Sequence, residues 1–217
     1  MRAGVVAIAV VLAACLVFAL AGCTAPVGTP SQFRLVQYPE AGFRAFYAQT
    51  AAAKKSIDME MYELADPTEI GGLIAARRRG ITVRVLLDSA YEVREANQPA
   101  YSTLTLSGVA VRWAPAGTIF HAKVTTFDGS SSDISTANLT PRYYSTTRDA
   151  EIVDTNPAQV AAIEQTFDHD WDGQSPAGDE VNTRGLVWSP DAESTMVDLI
   201  ESAKVSVRFT SEELSDP

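Results

Sequence analysis

His121 and Lys123 stand one residue apart in the stretch HAKVTTFDGSSSDISTANLT, residues 121 to 140, and His121 is one of two histidines in a chain of 217 residues. On an extended strand, residues so spaced leave from the same face. Val124, Thr126 and Phe127 favour a strand here, and Asp128-Gly129 then turns the chain. An imidazole beside an ammonium forms a site for an anion, and the imidazole can act as nucleophile or proton carrier near neutral pH. Asn138, reached after a return strand, adds a donor without adding charge. The group has the chemistry of a phosphate site. The other histidine, His169, lies between two aspartates near the end of an expected helix and reads as a solvated residue at a helix C-terminus.

The elements that must position these side chains alternate along the chain. EAGFRAFYAQTAAAKK (40–55) has helical spacing, and SIDMEMY (56–62) has the period-two pattern of a strand, with Ile57, Met59 and Met61 on one face. DPTEIGGLIAARRRG begins with an N-cap and proline signal and ends on glycine, marking a helix. Its RRR run, 77–79, falls in the last turn, where cations complement the helix dipole. ITVRVLLD is a strand, NQPAYSTLTLSG is helical in part, and VAVRWA (109–114) is a short strand. RDAEIVD (148–154) and PAQVAAIEQTFDHDW (157–171) read as a strand and a helix. The expectation is an α/β fold, a mixed but mostly parallel sheet with helices on both faces. Ligands gather at the C-terminal ends of the strands in such sheets.

The first residues are a targeting segment. Arg2 supplies a positive start, residues 3 to 20 are almost entirely apolar, and LAGC at 20–23 puts small residues before a cysteine. This resembles a bacterial lipoprotein signal over residues 1–22, with Cys23 the lipid-bearing first residue and 23–32 a tether. The same apolar run would also serve as an uncleaved membrane anchor. Either use places the remainder extracytoplasmically, tethered to the bacterial cell membrane. Both cysteines, Cys15 and Cys23, lie in this segment, so the globular part has no disulfide and no thiolate metal site. The formal charge is −10, and removing residues 1–22 deletes only Arg2, leaving −11. An acidic surface disfavours sequence-independent nucleic-acid binding.

An internal repeat is stronger than any single element. AKKSIDMEMYELADP (53–67) returns at an offset of 150 as AKVSVRFTSEELSDP (203–217), and LVQYP (35–39) returns as LVWSP (186–190). A second copy of the unit is expected to begin near residue 183, which makes 33–182 one lobe and 183–217 the truncated start of another. By the same offset its histidine would fall near position 271, beyond this sequence.

HAKVTTFD matches the His-x-Lys-x4-Asp signature, and the chain thereby resembles the phospholipase D superfamily. STAN (135–138) stands where that family has Gly-Ser-x-Asn, with Ser135 at the glycine position and Thr136 keeping the hydroxyl. The resemblance implies a phospholipase D-like α-β-α sandwich and an enzyme that cleaves phosphodiesters without metal or cofactor. It implies His121 as nucleophile or acid, Lys123, Asn138 and Thr136 as phosphate ligands, and an acid on the following strand that orients the histidine. Asp149 is the first candidate for that acid and Glu151 the second; Asp128 joins the catalytic signature, with loop-holding its expected task. The mechanism takes one histidine from each of two motif copies, so a second lobe or a homodimer partner must complete the site. The reading preferred is hydrolysis or transphosphatidylation of phospholipids through a phosphohistidine. The alternatives are an endonuclease of the same superfamily and a non-catalytic phosphate-binding lobe.

Overall fold

The computed structural model describes residues 32–90, 93–115, 118–174 and 185–211. The signal segment, Cys23 and the tether up to residue 31 lie outside the described residues. Seven strands form one sheet: β1 (Phe33–Gln37), β2 (Ser56–Met61), β3 (Thr82–Leu87), β4 (Ala110–Trp113), β5 (Lys123–Phe127), β6 (Ser131–Ser135) and β7 (Ala150–Asp154). Their order across the sheet is β1-β7-β6-β5-β2-β3-β4. The helices are α1 (Arg44–Ala52), α2 (Pro67–Arg78), α3 (Val93–Leu106), α4 (Pro157–Trp171) and α5 (Glu193–Glu201).

The α/β class, the mixed sheet and helices on both of its faces are present, but the balance of strand directions is not the expected one. β2–β3 and β3–β4 are parallel. β2–β5, β5–β6, β6–β7 and β1–β7 are antiparallel. The sheet is therefore mostly antiparallel. Crossover helices link only the first four strands; β5 and β6 are joined by a three-residue turn, which forces β6 back beside β5, and the loop from β6 to β7 holds no α-helix to cross the sheet. Asp128-Gly129 is the clearest case, with both residues at positive φ, 57° and 63°.

β2 is central, and its period-two pattern divides the two faces. Ile57, Met59 and Met61 are almost fully buried in the main core with Phe46, Leu73, Val85 and Leu104, which come from α1, α2, β3 and α3. Each such side chain contributes about 1.5–3 kcal/mol by leaving water. Asp58 and Glu60 project to the opposite face, which α4 covers. Arg84 of β3 binds Asp58 at 2.6 Å and Asp168 of α4 at 2.8 Å, with its guanidinium 4.7 Å from the Phe167 ring centroid. One arginine thus ties β2, β3 and α4 together.

Helix boundaries differ from the sequence pattern where tertiary packing intervenes. α1 starts at Arg44 rather than residue 40, because a turn over Tyr38–Ala41 and Gly42 at φ 58° occupy the start of the pattern. α3 begins at Val93 and runs through Pro99. Burial of Asn97, Ala100 and Leu104 along one side offsets the cost of about 3 kcal/mol for an interior proline. The arginine run does structural work, as expected: Arg77 donates to Gly108 O and Arg79 to Thr50 O and Ala53 O. In the repeat region, α5 has no buried residues, and residues 203–211 lie exposed outside any strand, although their counterpart 53–61 includes all of β2. The apolar pattern is the same, but β2 has β3 and β5 beside it.

Glu60 is pushed well above the ordinary carboxylate range by burial, and the charge of Asp170 on α4 pushes it further. The folded state holds its proton more tightly than the unfolded chain, so folding stability falls as pH rises above the ordinary glutamate value of about 4.3. Glu60→Gln is expected to raise the melting temperature at pH 8 more than at pH 5; equal shifts at both pH values in thermal denaturation would refute this.

Candidate active site

The site forms where the end of β2 meets the start of β5. The β2–β5 pairing sets Met61 opposite Lys123, and beyond it Tyr62 N donates to Ala122 O at 3.0 Å. His121 and Lys123 therefore enter the sheet beside Tyr62. The Tyr62 ring meets the His121 ring edge-on, with centroids 4.3 Å apart and planes at 66°. The same ring lies 4.8 Å from Lys123 Nζ, which also donates to His121 O at 2.8 Å. His121 is exposed, whereas Lys123 is only 6% exposed. The lysine is a largely desolvated cation that shares the Tyr62 ring with an exposed histidine, and loss of water strengthens its attraction for an anion.

Asn138 is brought to the same end of the sheet by a second extended segment. Leu139 N donates to Glu63 O, Ala65 N donates to Leu139 O, and Leu139 is buried in the core against the Leu64 bridge. Asn138 is half-buried, and its Oδ1 is enclosed without a hydrogen-bond partner. A polar atom so placed costs free energy unless a ligand meets it, and rotation of the amide would present Nδ2 as the donor.

The remaining residues of the motif divide into different tasks. Thr136 Oγ1 donates to Asp149 Oδ1 at 2.7 Å and accepts from Ala150 N at 3.1 Å. Its hydroxyl therefore holds Asp149 and the start of β7. Asp149 and Glu151, which the sequence leaves as alternatives, sit in distinct settings. Asp149 is half-buried just before β7, whereas Glu151 lies within β7 and accepts from Tyr38 Oη at 2.8 Å. Burial pushes the Glu151 carboxyl up, while the Tyr38 hydrogen bond opposes the shift.

Asp128 belongs at the other end of β5, about 16 Å of strand from Lys123. Its carboxylate accepts from the backbone N–H groups of Lys54, Lys55 and Ser56 at 2.7–3.1 Å. Partial burial pushes its pKa up, but these bonds outweigh it and hold the carboxyl below the usual range. The carboxylate thus ties the turn between β5 and β6 to the start of β2, at the opposite end of β5 from His121 and Lys123. His169 lies in the last turn of α4, the helix end the sequence suggests, and is half-buried there.

Two residues were missed in the sequence. Tyr62 follows a strand pattern and carries no motif of its own. Asn97 is fully buried in α3, where its Oδ1 accepts from Leu64 N and its Nδ2 donates to Tyr62 O and Asp88 O. It clamps the segment bearing Tyr62, yet a lone asparagine in a helix gives no signal of that contact. Among the described residues, no group of three or more acidic, histidine or cysteine side chains could hold a metal ion.

Tyr62→Leu removes the ring next to Lys123 and His121, a contact of about 0.5–1 kcal/mol. Vanadate, a phosphate mimic, is expected to bind about two- to fivefold more weakly to this variant, and Tyr62→Phe should restore most of the loss because it keeps the ring. Titration showing equal binding to all three proteins would contradict the assignment.

Comparison with known proteins adds a sequence and a fold likeness. A family model described as cardiolipin synthase, PLD-like domain, matches residues 47–171, which include His121, Lys123, Asn138 and Asp149. The chain is 24% identical over 157 residues to a mitochondrial cardiolipin hydrolase of Xenopus laevis, covering 71% of this chain and 74% of that protein. It is 26% identical over 125 residues to the Xenopus tropicalis protein of the same name, covering 58% of this chain and 59% of that one. The solved structure of Nuc, a phospholipase D family member from Salmonella typhimurium, superposes with a TM-score of 0.60 at 23% identity, over 65% of this chain and 94% of Nuc.

Proposed function

The chain belongs to the phospholipase D superfamily of phosphodiesterases, and on that premise we propose that it cleaves phospholipid phosphodiesters through a phosphohistidine on His121. The observation that carries the reading is an exposed His121 and a buried Lys123 ammonium gathered against one Tyr62 ring, with Lys123 Nζ donating to His121 O. His121 attacks phosphorus; a P–N bond forms as the P–O bond to the leaving alcohol breaks. Lys123 and Asn138 hold the non-bridging oxygens and stabilise the charge that builds in the transition state. The leaving alkoxide takes its proton from a second histidine. Water then attacks the phosphohistidine, loses a proton to that second histidine, and P–N cleavage restores His121. An alcohol in place of water gives transphosphatidylation.

The second histidine comes from another copy of the motif, in a second lobe or a second chain. The repeat that starts near residue 183 favours a second lobe. Phospholipid is favoured over nucleic acid by the −10 formal charge and by the lipoprotein-like LAGC segment. Cys23 would carry the lipid and hold the enzyme at the outer side of the bacterial membrane. No step draws on a metal or cofactor, since Lys123 and Asn138 supply the electrostatics.

Incubation with labelled phospholipid and rapid quenching is expected to leave acid-labile, base-stable phosphate on the protein, and His121→Ala is expected to abolish it. Lys123→Ala should lower kcat by about 10²–10³. Turnover that survives in His121→Ala would overturn the assignment; cleavage of single-stranded DNA but not lipid would favour the endonuclease reading, and cleavage of neither a binding lobe.

A further inference from the structure

Asp88 follows β3 at the end of the sheet where His121 lies, and it is 1% exposed. Leu87 pairs with Met61, so Asp88 is level with Tyr62. Its bonds reach both segments that carry the rings of the site. Asp88 N donates to Met61 O at 3.3 Å, one residue before Tyr62. Asp88 O accepts from Asn97 Nδ2 at 3.1 Å, and the same amide donates to Tyr62 O at 2.7 Å. On the other side, Asp88 Oδ1 accepts from Phe120 N at 3.3 Å, one residue before His121. Oδ1 also accepts from Ser89 N and Ala90 N at 2.9 and 3.3 Å, which fixes the direction of the carboxylate.

The chain before His121 depends on such a tie. Ala114 N bonds to Leu87 O and Tyr62 N to Ala122 O, but the described residues between them, 118–121, lie in no strand or helix. The Phe120 ring packs with Leu86, Ala114, Phe167 and Trp171, which fixes where that residue sits. The bond to its N–H fixes how its peptide plane is turned, and that plane sets the direction in which His121 follows. Asp88 Oδ2 is enclosed without a hydrogen-bond partner. Such an oxygen costs free energy, and the three N–H bonds at Oδ1 offset it. An apolar residue would avoid the cost and leave Phe120 N without this acceptor.

We propose that Asp88 is a positioning residue for His121: through Phe120 N and Met61 O it fixes the edge-on placement of the His121 ring against Tyr62, 4.3 Å between centroids. The inference rests on the phosphohistidine reading for the attack on phosphorus, whereas the placement of the ring is testable without it.

Two variants of the full chain separate geometry from charge. Asp88→Asn keeps an oxygen for Phe120 N and removes the charge, and Asp88→Glu keeps the charge but moves the oxygens by about 1.5 Å, one added methylene. The first measurement is magnetic resonance of labelled histidine. The Tyr62 ring displaces the His121 ring resonances from their position in Tyr62→Leu, and His169→Gln identifies them. The displacement is expected to persist in Asp88→Asn and to fall below about half in Asp88→Glu, since it depends on ring geometry. The second is phosphohistidine formation at saturating labelled phospholipid. It is expected to stay within about threefold of the unmodified chain in Asp88→Asn and to slow about 10²-fold in Asp88→Glu, the scale of a 1 Å misplacement. Inorganic phosphate should bind both variants within about twofold of the unmodified chain, a result that loss of fold would not give. Asp88→Ala removes the acceptor without added bulk and takes the place of Asp88→Glu if that variant does not fold. Unchanged resonances in Asp88→Glu and Asp88→Ala, or a loss in Asp88→Asn that Asp88→Glu escapes, would overturn the positioning role. If the unmodified chain forms no phosphohistidine, the functional reading falls, and the resonances still decide whether Asp88 places the ring.

Discussion

The desolvation of Lys123 is the constraint around which the molecule is arranged. A lysine that holds a phosphate must be dry enough for strong attraction, yet a buried ammonium is costly without compensation. Here the compensation includes His121 O and the face of Tyr62. Both depend on register. Lys123 opens β5 opposite Met61, so that Tyr62, the next residue after β2, lies against it. A shift of one residue would turn Lys123 to the other side of the sheet. The buried methionines and isoleucine of β2 hold that register, and Asn97 holds the segment beyond it.

The other half of the site depends on an aromatic cluster that keeps the chain after Asn138 in place. Phe43 is stacked between Tyr38 and Tyr144, with centroid distances of 4.3 and 3.9 Å. The hydroxyls of these tyrosines go to acids: Tyr38 to Glu151, and Tyr144, together with Tyr47, to Asp66. Asp66 is also the cap of α2, accepting from Thr68 N at 2.8 Å. A single carboxylate thus joins the start of α2, helix α1 and the loop between Asn138 and Asp149. Deeper in, burial and the charge of Glu151 push Asp133 up to about 7. These acids lie among packed rings and strands, where each hydroxyl donor offsets part of the desolvation cost.

Much of this site was legible in the chain because its signal is local. His121 and Lys123 share a face by strand geometry alone, and the turn at Asp128-Gly129 is written in its residue types. The direction of the strands was less accessible. Alternating helix and strand patterns suggest parallel pairing, yet after β5 the chain turns back on itself without a crossover helix, and apolar periodicity carries no information on strand direction. Asp128 shows the same limit at one residue: its place in the motif associates it with His121, while five residues of extended strand carry it to the opposite edge. Thr136 shows the limit in its partner, since its hydroxyl meets Asp149, thirteen positions along, through the pairing of β6 with β7.

The amino-acid sequence determined by itself that His121 and Lys123 share one strand face, the α/β class and the identity of β2 as a core strand, because each rests on spacing over a few residues. Tertiary structure alone decided which side chains surround Lys123, which acid Thr136 holds, and how Asp88 reaches the segment before His121. Those contacts join residues far apart in the chain, 32 positions in the case of Asp88 and Phe120. They exist only when desolvation, register and hydrogen bonding are satisfied together, a condition that no local pattern encodes.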